Sequence, residues 1–524
     1  IQIGRSTQDN AGKWTFVEGQ TPFNAVRVTG DRTNTSLTGG VPLFFNQFYG
    51  GRDFEPQITA VSTFLNFDIS LVVDRSGSMM ESISGGGMPA VDVPVRWQVA
   101  EDESFARIAR EGTTAASPAF GHSVHVDATG LRPGAWYFYR FLVGDEASPV
   151  GRTRTTPAAD ATEPLRFLFA SCQNWRDGYW PAWAHAPADD PDLVVHLGDY
   201  IYESGAVGGG NVRQHNSAEV RTLDDYRNRY GLYKGDPALQ AAHAACPWVV
   251  TWDDHEVDNN YAGLVPEAPA EAAAFPARRD AAYAAWWEHM PVRLPPWEPS
   301  MRIYRSLDWG RLTRFHVLDT RQYRDDQPCG PAAIGEDCDA RHLPERSLLG
   351  PNQEAWLGQS LMTSDATWDV LANQVVFTSM PLAGTIFNHD QWDGYPAART
   401  RVLDQVAAAG TENLVVVTGD IHAAGVAEVV DEGEGAPAVG TEFVGSSISS
   451  RFDPDLADAA EALIGQLPHV RYANVRQRGY ARCDLDDAAF VVRFQVAESV
   501  LTPDSPVTTA STWTVTAGTV GAEA

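Results

Sequence analysis

The sequence predicts an α/β fold with a small all-β domain in front of it, and three observations carry that prediction. From about Leu165, apolar runs of strand length recur in RFLFASCQN (166–174), at Leu193–Val195, in WVVTWDDHE (248–256) and in LVVVTGDIH (414–422). Helical stretches alternate with them, as in the Ala-rich PARRDAAYAAWWEHM (276–290), which has apolar residues at helical spacing. Between Val95 and Gly144 the pattern differs. VRWQVAEDESF, HSVHVDATGL and WYFYRFLVG alternate apolar and polar residues between Gly/Pro turns, the signature of half-buried antiparallel strands.

Taken in order, residues 1–84 read as an atypical amino-terminal segment, rich in Thr, Asn, Gly and Phe and without a long helical pattern. Within it LVVDRSGSM (71–79) resembles the metal-ion-dependent adhesion motif that opens a von Willebrand A domain, but an unrelated pattern follows at Ser84–Met88. The segment therefore reads as a fragment fused near residues 79–85. Residues 85–158 are expected to form a fibronectin-like β-sandwich, ending at the linker Thr156-Pro157-Ala158-Ala159. Residues 159–524 are expected to be the catalytic domain. TRFHVLDTRQYR, ATWDVLANQVVF and NLVVVTGDIH supply further buried strands; AFVVRFQVAES and STWTVTAG supply late antiparallel ones.

With 524 residues the chain exceeds one small core. No apolar stretch is long enough to span a bilayer. A net charge of −29 repels nucleic acid and anionic lipid, so neither is an expected partner. The only lysines are Lys13 and Lys234, so anion contacts fall to arginine, which can grip phosphate bidentately. Cys329 and Cys338 lie in a Gly/Pro-containing loop, where a local disulfide would fit an oxidising compartment, two separate thiols being the alternative. No signal peptide is present at Ile1, so any export signal is expected to be missing or removed.

Four apolar runs each end in ionisable or soft ligands: Cys172; Asp199 and Tyr202; Asp253, Asp254 and His255; and Asp420 and His422. Carboxyl ends of strands in an α/β sheet are where sites are built. Carboxylates suit hard ions, imidazole borderline ions, and thiolate softer ones. A phenolate with a free pKa near 10 requires a strongly polarising ion. Cys172, Asp199, Tyr202 and Asp420 together point to trivalent iron, with Asp199 able to bridge to a second ion at Asp253 or Asp254. Two ions sharing a carboxylate can clamp a phosphoryl oxygen and ionise a bound water. His255 is a candidate proton donor to a leaving oxygen and Asn260 a neutral phosphate contact. Arg278 or Arg279, opening the Ala-rich helix, is a candidate for reaching substrate phosphate.

SCQN, HLGDYIYE, TWDDHEVDNNYAG, LDTRQYR, LANQ, DQWDGYPAAR, VVVTGDIHAA and GTEFVGSSISS occur in that order and resemble the PhoD-type alkaline phosphatase/phosphodiesterase family over about residues 85–524. The resemblance implies a metallophosphoesterase-like four-layer sandwich of two mixed β-sheets flanked by helices, behind a fibronectin-like domain. It implies a secreted, extracellular or periplasmic hydrolase of phosphate monoesters and diesters that uses metal-activated hydroxide, with one Fe³⁺ and two Ca²⁺. It makes Cys172, Asp199, Tyr202 and Asp420 iron ligands, with Asp199 bridging to calcium. It sets Asp253 or Asp254, Asn260 and His422 near calcium and phosphate, Asn373 near the site, and Arg321 as an anion contact or structural ion-pair partner. A diesterase acting on phospholipid or wall polymer, with little monoesterase activity, is the alternative within that fold. DRSGSM supports a different class, a metal-dependent adhesion or surface protein. The family's entry strands, of the FxxGVASGDP and LWTRL types, are absent. Leu71–Val73 is expected to substitute for the lost edge strand, failing which residues 1–80 would be poorly ordered.

Overall fold

The computed structural model describes residues 91–205, 212–293, 301–330, 335–381, 385–433 and 435–524, with the backbone of five strands before residue 73. The chain divides into Ile1–Asp68 and Ile69–Ala524. In the first unit, Trp14–Glu18, Gln2–Gln8, Ala25–Asp31 and Gln57–Thr63 form an antiparallel sheet in that spatial order. In the second, Ile69–Val72, overlapping the expected Leu71–Val73, pairs antiparallel with His125–Ala128 in a two-stranded sheet of its own, apart from the five-stranded one that follows. The adhesion-like residues Asp74–Met79 lie outside the described residues.

Val93–Ala100, Ile108–Ala116, Trp136–Val143, Glu146–Ala147 and Gly151–Arg154 build the front antiparallel sheet. Their alternation buries Val95, Val99, Tyr137 and Phe141 on one face. Two larger mixed sheets follow. The first runs Trp248–Val250, Leu193–His196, Leu165–Ala170, Arg478–Leu485, Ala489–Ala497, Val507–Thr516. Its first three strands are parallel and the rest antiparallel. The second runs Arg305–Trp309, Thr313–Val317, Trp368–Ala372, Leu414–Thr418, Gly440–Val444, Ala424–Val429, Val470–Asn474, with four parallel strands at its centre.

The strands Leu193–His196, Trp368–Ala372 and Leu414–Thr418 are apolar almost throughout because each is covered on both faces. One set of side chains, including Phe167, Val195, Phe315, Val415, Phe443 and Phe490, packs between the two sheets. The opposite set on the first sheet meets the helices Leu223–Lys234, Pro237–Ala245 and Phe275–His289. That on the second meets Gly350–Met362 and Pro396–Ala409. The result is four layers, helix–sheet–sheet–helix.

The parallel strands of both sheets end on the same side, and the ends are stitched together. Ser171 and Ser447 form a parallel bridge between the sheets, and the Ile448 N–H donates to the Ser171 carbonyl. Gly419 faces Ser171 so closely that a Cβ there would lie 2.2 Å from its Oγ. Cys329 and Cys338 form the expected disulfide, whereas Cys172, Cys246 and Cys483 are free and buried. Among the described residues, no helix is long and apolar enough to cross a membrane.

Phe167 is fully buried and meets Phe315 and Phe490 edge-on at 5.1 and 5.9 Å. Phe167→Ala should lower unfolding free energy by about 3–5 kcal/mol, read from the denaturant midpoint at unchanged m-value.

Candidate metal centre and active site

Five of the residues singled out from the sequence have left-handed backbone: Cys172 (φ 58°), Asp199 (56°), Asn260 (53°), Asp420 (66°) and His422 (55°). Such conformations are uncommon outside glycine and cluster where the surroundings force them. Four of them, Cys172, Asp199, Asp420 and His422, fall within four residues of a strand end, where the chain turns sharply as it leaves its sheet. Gly198, at φ 109°, has no room for a side chain: a Cβ would lie 2.4 Å from the Asp253 nitrogen. The turns at Asp199 and Asp253 are therefore in backbone contact.

The turns converge. Ligand atoms of Cys172, Asp199 and His422 lie within 4.8 Å of one another, as do those of Asp199, Asp254 and His255, and those of Asp253, Asp254 and Asp420. Asp199 and Asp254 each belong to two groups, so the three sets form one continuous cluster. Tyr202 closes it: its hydroxyl donates to Asp199 Oδ2 at 2.8 Å, accepts from Ser450 Oγ at 2.7 Å and lies 3.3 Å from His422 Nε2. Its ring stacks on His255 at 4.1 Å. Asp253 and Asp254 are both buried in the cluster, so burial does not separate the two candidates.

The supporting contacts fix each side chain. Glu203 accepts from the Asn259 N–H at 3.1 Å and pairs with His255 Nδ1 at 2.7 Å. The carbonyl of Arg451 meets His422 Nδ1 at 3.0 Å, and Gln391 donates to Asp420 Oδ2 at 2.6 Å. Arg321, fully buried, bonds Asp253 and Asp390 and lies 3.7 Å from both Asp254 and Asp420. Arg324 makes a second ion pair with Asp390.

Burial and the neighbouring carboxylates push Asp199 and Asp253 well above the usual carboxylate range, and Asp420 up to about 7. Burial likewise raises the Cys172 thiol and the Tyr202 phenol, each raised further by Asp199. Against its burial, Asp254 is held low by Arg321 and His255. Also against burial, His255 is held cationic by Glu203, Asp254 and Asp199. One guanidinium thus faces four carboxylates, Asp253, Asp254, Asp390 and Asp420, with a thiol and a phenol close by. That donor set, deficient in positive charge and mixing sulfur, phenol, imidazole and carboxylate, fits multivalent cations.

Some candidates lie elsewhere. Arg279 donates to the Gly263 carbonyl and sits over the Tyr283 ring, while Arg278 pairs with Asp258, Glu219 and Glu271. Both are occupied in bracing their own helix. The Asn373 amide donates to the Val375 carbonyl. Glu203, Glu256, Asp390, Gln391 and Ser450 had no assigned role although each lies inside a motif already quoted, HLGDYIYE, DDHE, DQWDG or GSSISS. Their presence in those motifs was the available signal.

A family model described as PhoD-like phosphatase matches residues 167–494, and one for the PhoD-like phosphatase N-terminal domain matches 76–157. The chain belongs to the PhoD-like phosphatase family. It is 44% identical over 477 residues to alkaline phosphatase D of Bacillus subtilis (strain 168), covering 86% of this chain and 82% of that protein. A solved structure of PhoD superposes with a TM-score of 0.81 at 43% identity, covering 88% of this chain and 90% of that one. Purple acid phosphatase PPD1 from yellow lupin (Lupinus luteus) seeds, at 11% identity and TM-score 0.51, covers 90% of this chain and 83% of its own and shares the α/β metallophosphoesterase-like fold. This PhoD-like chain is accordingly an enzyme, a phosphohydrolase acting on phosphate esters.

Replacing Arg321 by Ala leaves its four carboxylates without their shared cation. In metal-stripped enzyme the variant should lose about 3–5 kcal/mol of unfolding free energy. An unchanged urea midpoint would contradict the balance described.

Proposed function

We propose that the buried cluster holds one Fe³⁺ and two Ca²⁺, and that the enzyme cleaves both phosphate monoesters and diesters outside the cytoplasm. The contact of the Tyr202 phenol with the Asp199 carboxylate, beside the Cys172 thiol, carries the reading. Cys172, Asp199, Tyr202 and Asp420 would hold iron; Asp199, Asp253 or Asp254, Asn260 and His422 would hold calcium. When bound, the ions would supply Lewis acidity toward water and the phosphoryl oxygens.

The chain's own residues do the rest. Glu203 occupies Nδ1 of His255 and favours a charged ring, leaving Nε2 to donate a proton to the leaving oxygen. The Arg451 carbonyl orients His422 through its Nδ1. Arg321 keeps Asp253 and Asp254 in place against their mutual repulsion. The Cys329–Cys338 disulfide supports a secreted or periplasmic location. The buried face of the front sheet, with Val99, Tyr137 and Phe141, supports a fibronectin-like domain over about residues 85–158 ahead of a catalytic domain over 159–524.

Elemental analysis of purified enzyme should find iron and calcium, with a visible absorption band that Tyr202→Phe removes. A colourless enzyme of full activity, unaffected by that substitution, would exclude the iron assignment. Calcium chelation should abolish hydrolysis reversibly. Comparable turnover of a nitrophenyl monoester and its matching diester is expected; turnover of the diester alone would assign the enzyme to diesters.

A further inference from the structure

Glu256 is almost completely buried, at 1% exposure, in the turn that follows Trp248–Val250. Its two oxygens accept three backbone N–H groups from two different strand ends. Oε2 takes Asp199 N–H at 3.0 Å and Asp253 N–H at 2.8 Å, and Oε1 takes Tyr200 N–H at 2.6 Å. The donors at 199 and 200 are successive and follow a left-handed turn, an arrangement that forms a concave anion site; here the chain fills it with its own carboxylate. Two of the three donors belong to residues whose side chains enter the cluster, and the third belongs to Tyr200, between Asp199 and Tyr202.

We propose that Glu256 is a positioning residue of the hydrolytic centre, locking the left-handed turn at Asp199 to the turn at Asp253 so that both carboxylates face into the one continuous cluster. The role rests on the metal-centre reading above. It follows from connectivity. Asp199 is shared between two of the three ligand groups, so a rotation of its peptide would displace it from both. Glu256 is the side chain that ties its N–H across to the neighbouring strand. A glutamine keeps the size but offers one acceptor oxygen, so in either orientation its NH₂ faces at least one of the three N–H donors.

The test uses the full-length holoenzyme and the Glu256→Gln variant. Calcium retained during dialysis against graded EGTA is measured by elemental analysis, beside kcat and KM for nitrophenyl phosphate and the melting temperature. Glu256→Gln should remain folded, release calcium at a 10- to 100-fold lower chelator concentration, on the order seen when groups orienting metal ligands are lost, and lower kcat with KM held within about twofold. Retention and kcat equal to wild type in the folded variant overturn the proposal. Should Glu256→Gln not fold, Glu256→Ala prepared with formate replaces it. Calcium retention that depends on formate supports the role; retention indifferent to formate overturns it. Failure of both variants to fold assigns Glu256 to the fold alone and also overturns it. Wild-type enzyme lacking iron and calcium sinks the metal-centre reading instead, a result that the variant arms cannot mimic.

Discussion

Repulsion among largely buried carboxylates is the constraint to which the surrounding structure answers. Asp199, Asp253, Asp254 and Asp420 are drawn together by strand topology, where the low dielectric magnifies their mutual cost. Each neighbouring feature offsets part of it. Arg321 sits among Asp253, Asp254 and Asp420 and also pairs with Asp390, which Arg324 in turn neutralises. Gln391 donates to Asp420, Tyr202 to Asp199, and the Asn260 N–H to Asp254 at 2.7 Å. Those contacts reduce the deficit of positive charge without removing it, which leaves a donor set that suits cations.

Much of this was legible before any coordinates. Apolar runs ending in Asp, His, Cys or Tyr mark buried strands that deliver ligands to a common edge, and the pairing of parallel strands places those ends together. The local disulfide could be read from loop composition and spacing. What stayed hidden depends on geometry that no local pattern encodes. Cys172, Asp199, Asp420 and His422 adopt left-handed backbone, which no local pattern in the sequence announced. Glu203 and Glu256 stood in plain view inside motifs, but all their partners except Asp253 N–H, three residues before Glu256, lie 52 to 57 residues away in sequence. Asp390 matters because of Arg321, 69 residues before it. Arg279 looked available because it opens a helix soon after the DDHE motif, yet that helix turns its guanidinium to the Gly263 carbonyl and the Tyr283 ring.

The pairing of Ile69–Val72 shows a looser kind of specification. Ile69–Val72 is mostly apolar and partly β-branched, which is enough for a strand to pair along His125–Ala128 even though its surrounding motif resembles that of another fold. Backbone pairing asks little of side-chain identity. A cluster of buried ligands asks a great deal, and this difference separates the tolerant front of the chain from its centre.

The bridge between Ser171 and Ser447, with Gly419 pressed against Ser171, has a consequence for how the enzyme dies with heat. The weld sits at the same strand ends that carry Cys172 and Asp420, so the two sheets cannot slide apart and leave the chemistry intact. Thermal inactivation and collapse of the double-sheet body should therefore be a single event, with activity surviving up to the temperature at which the architecture itself gives way.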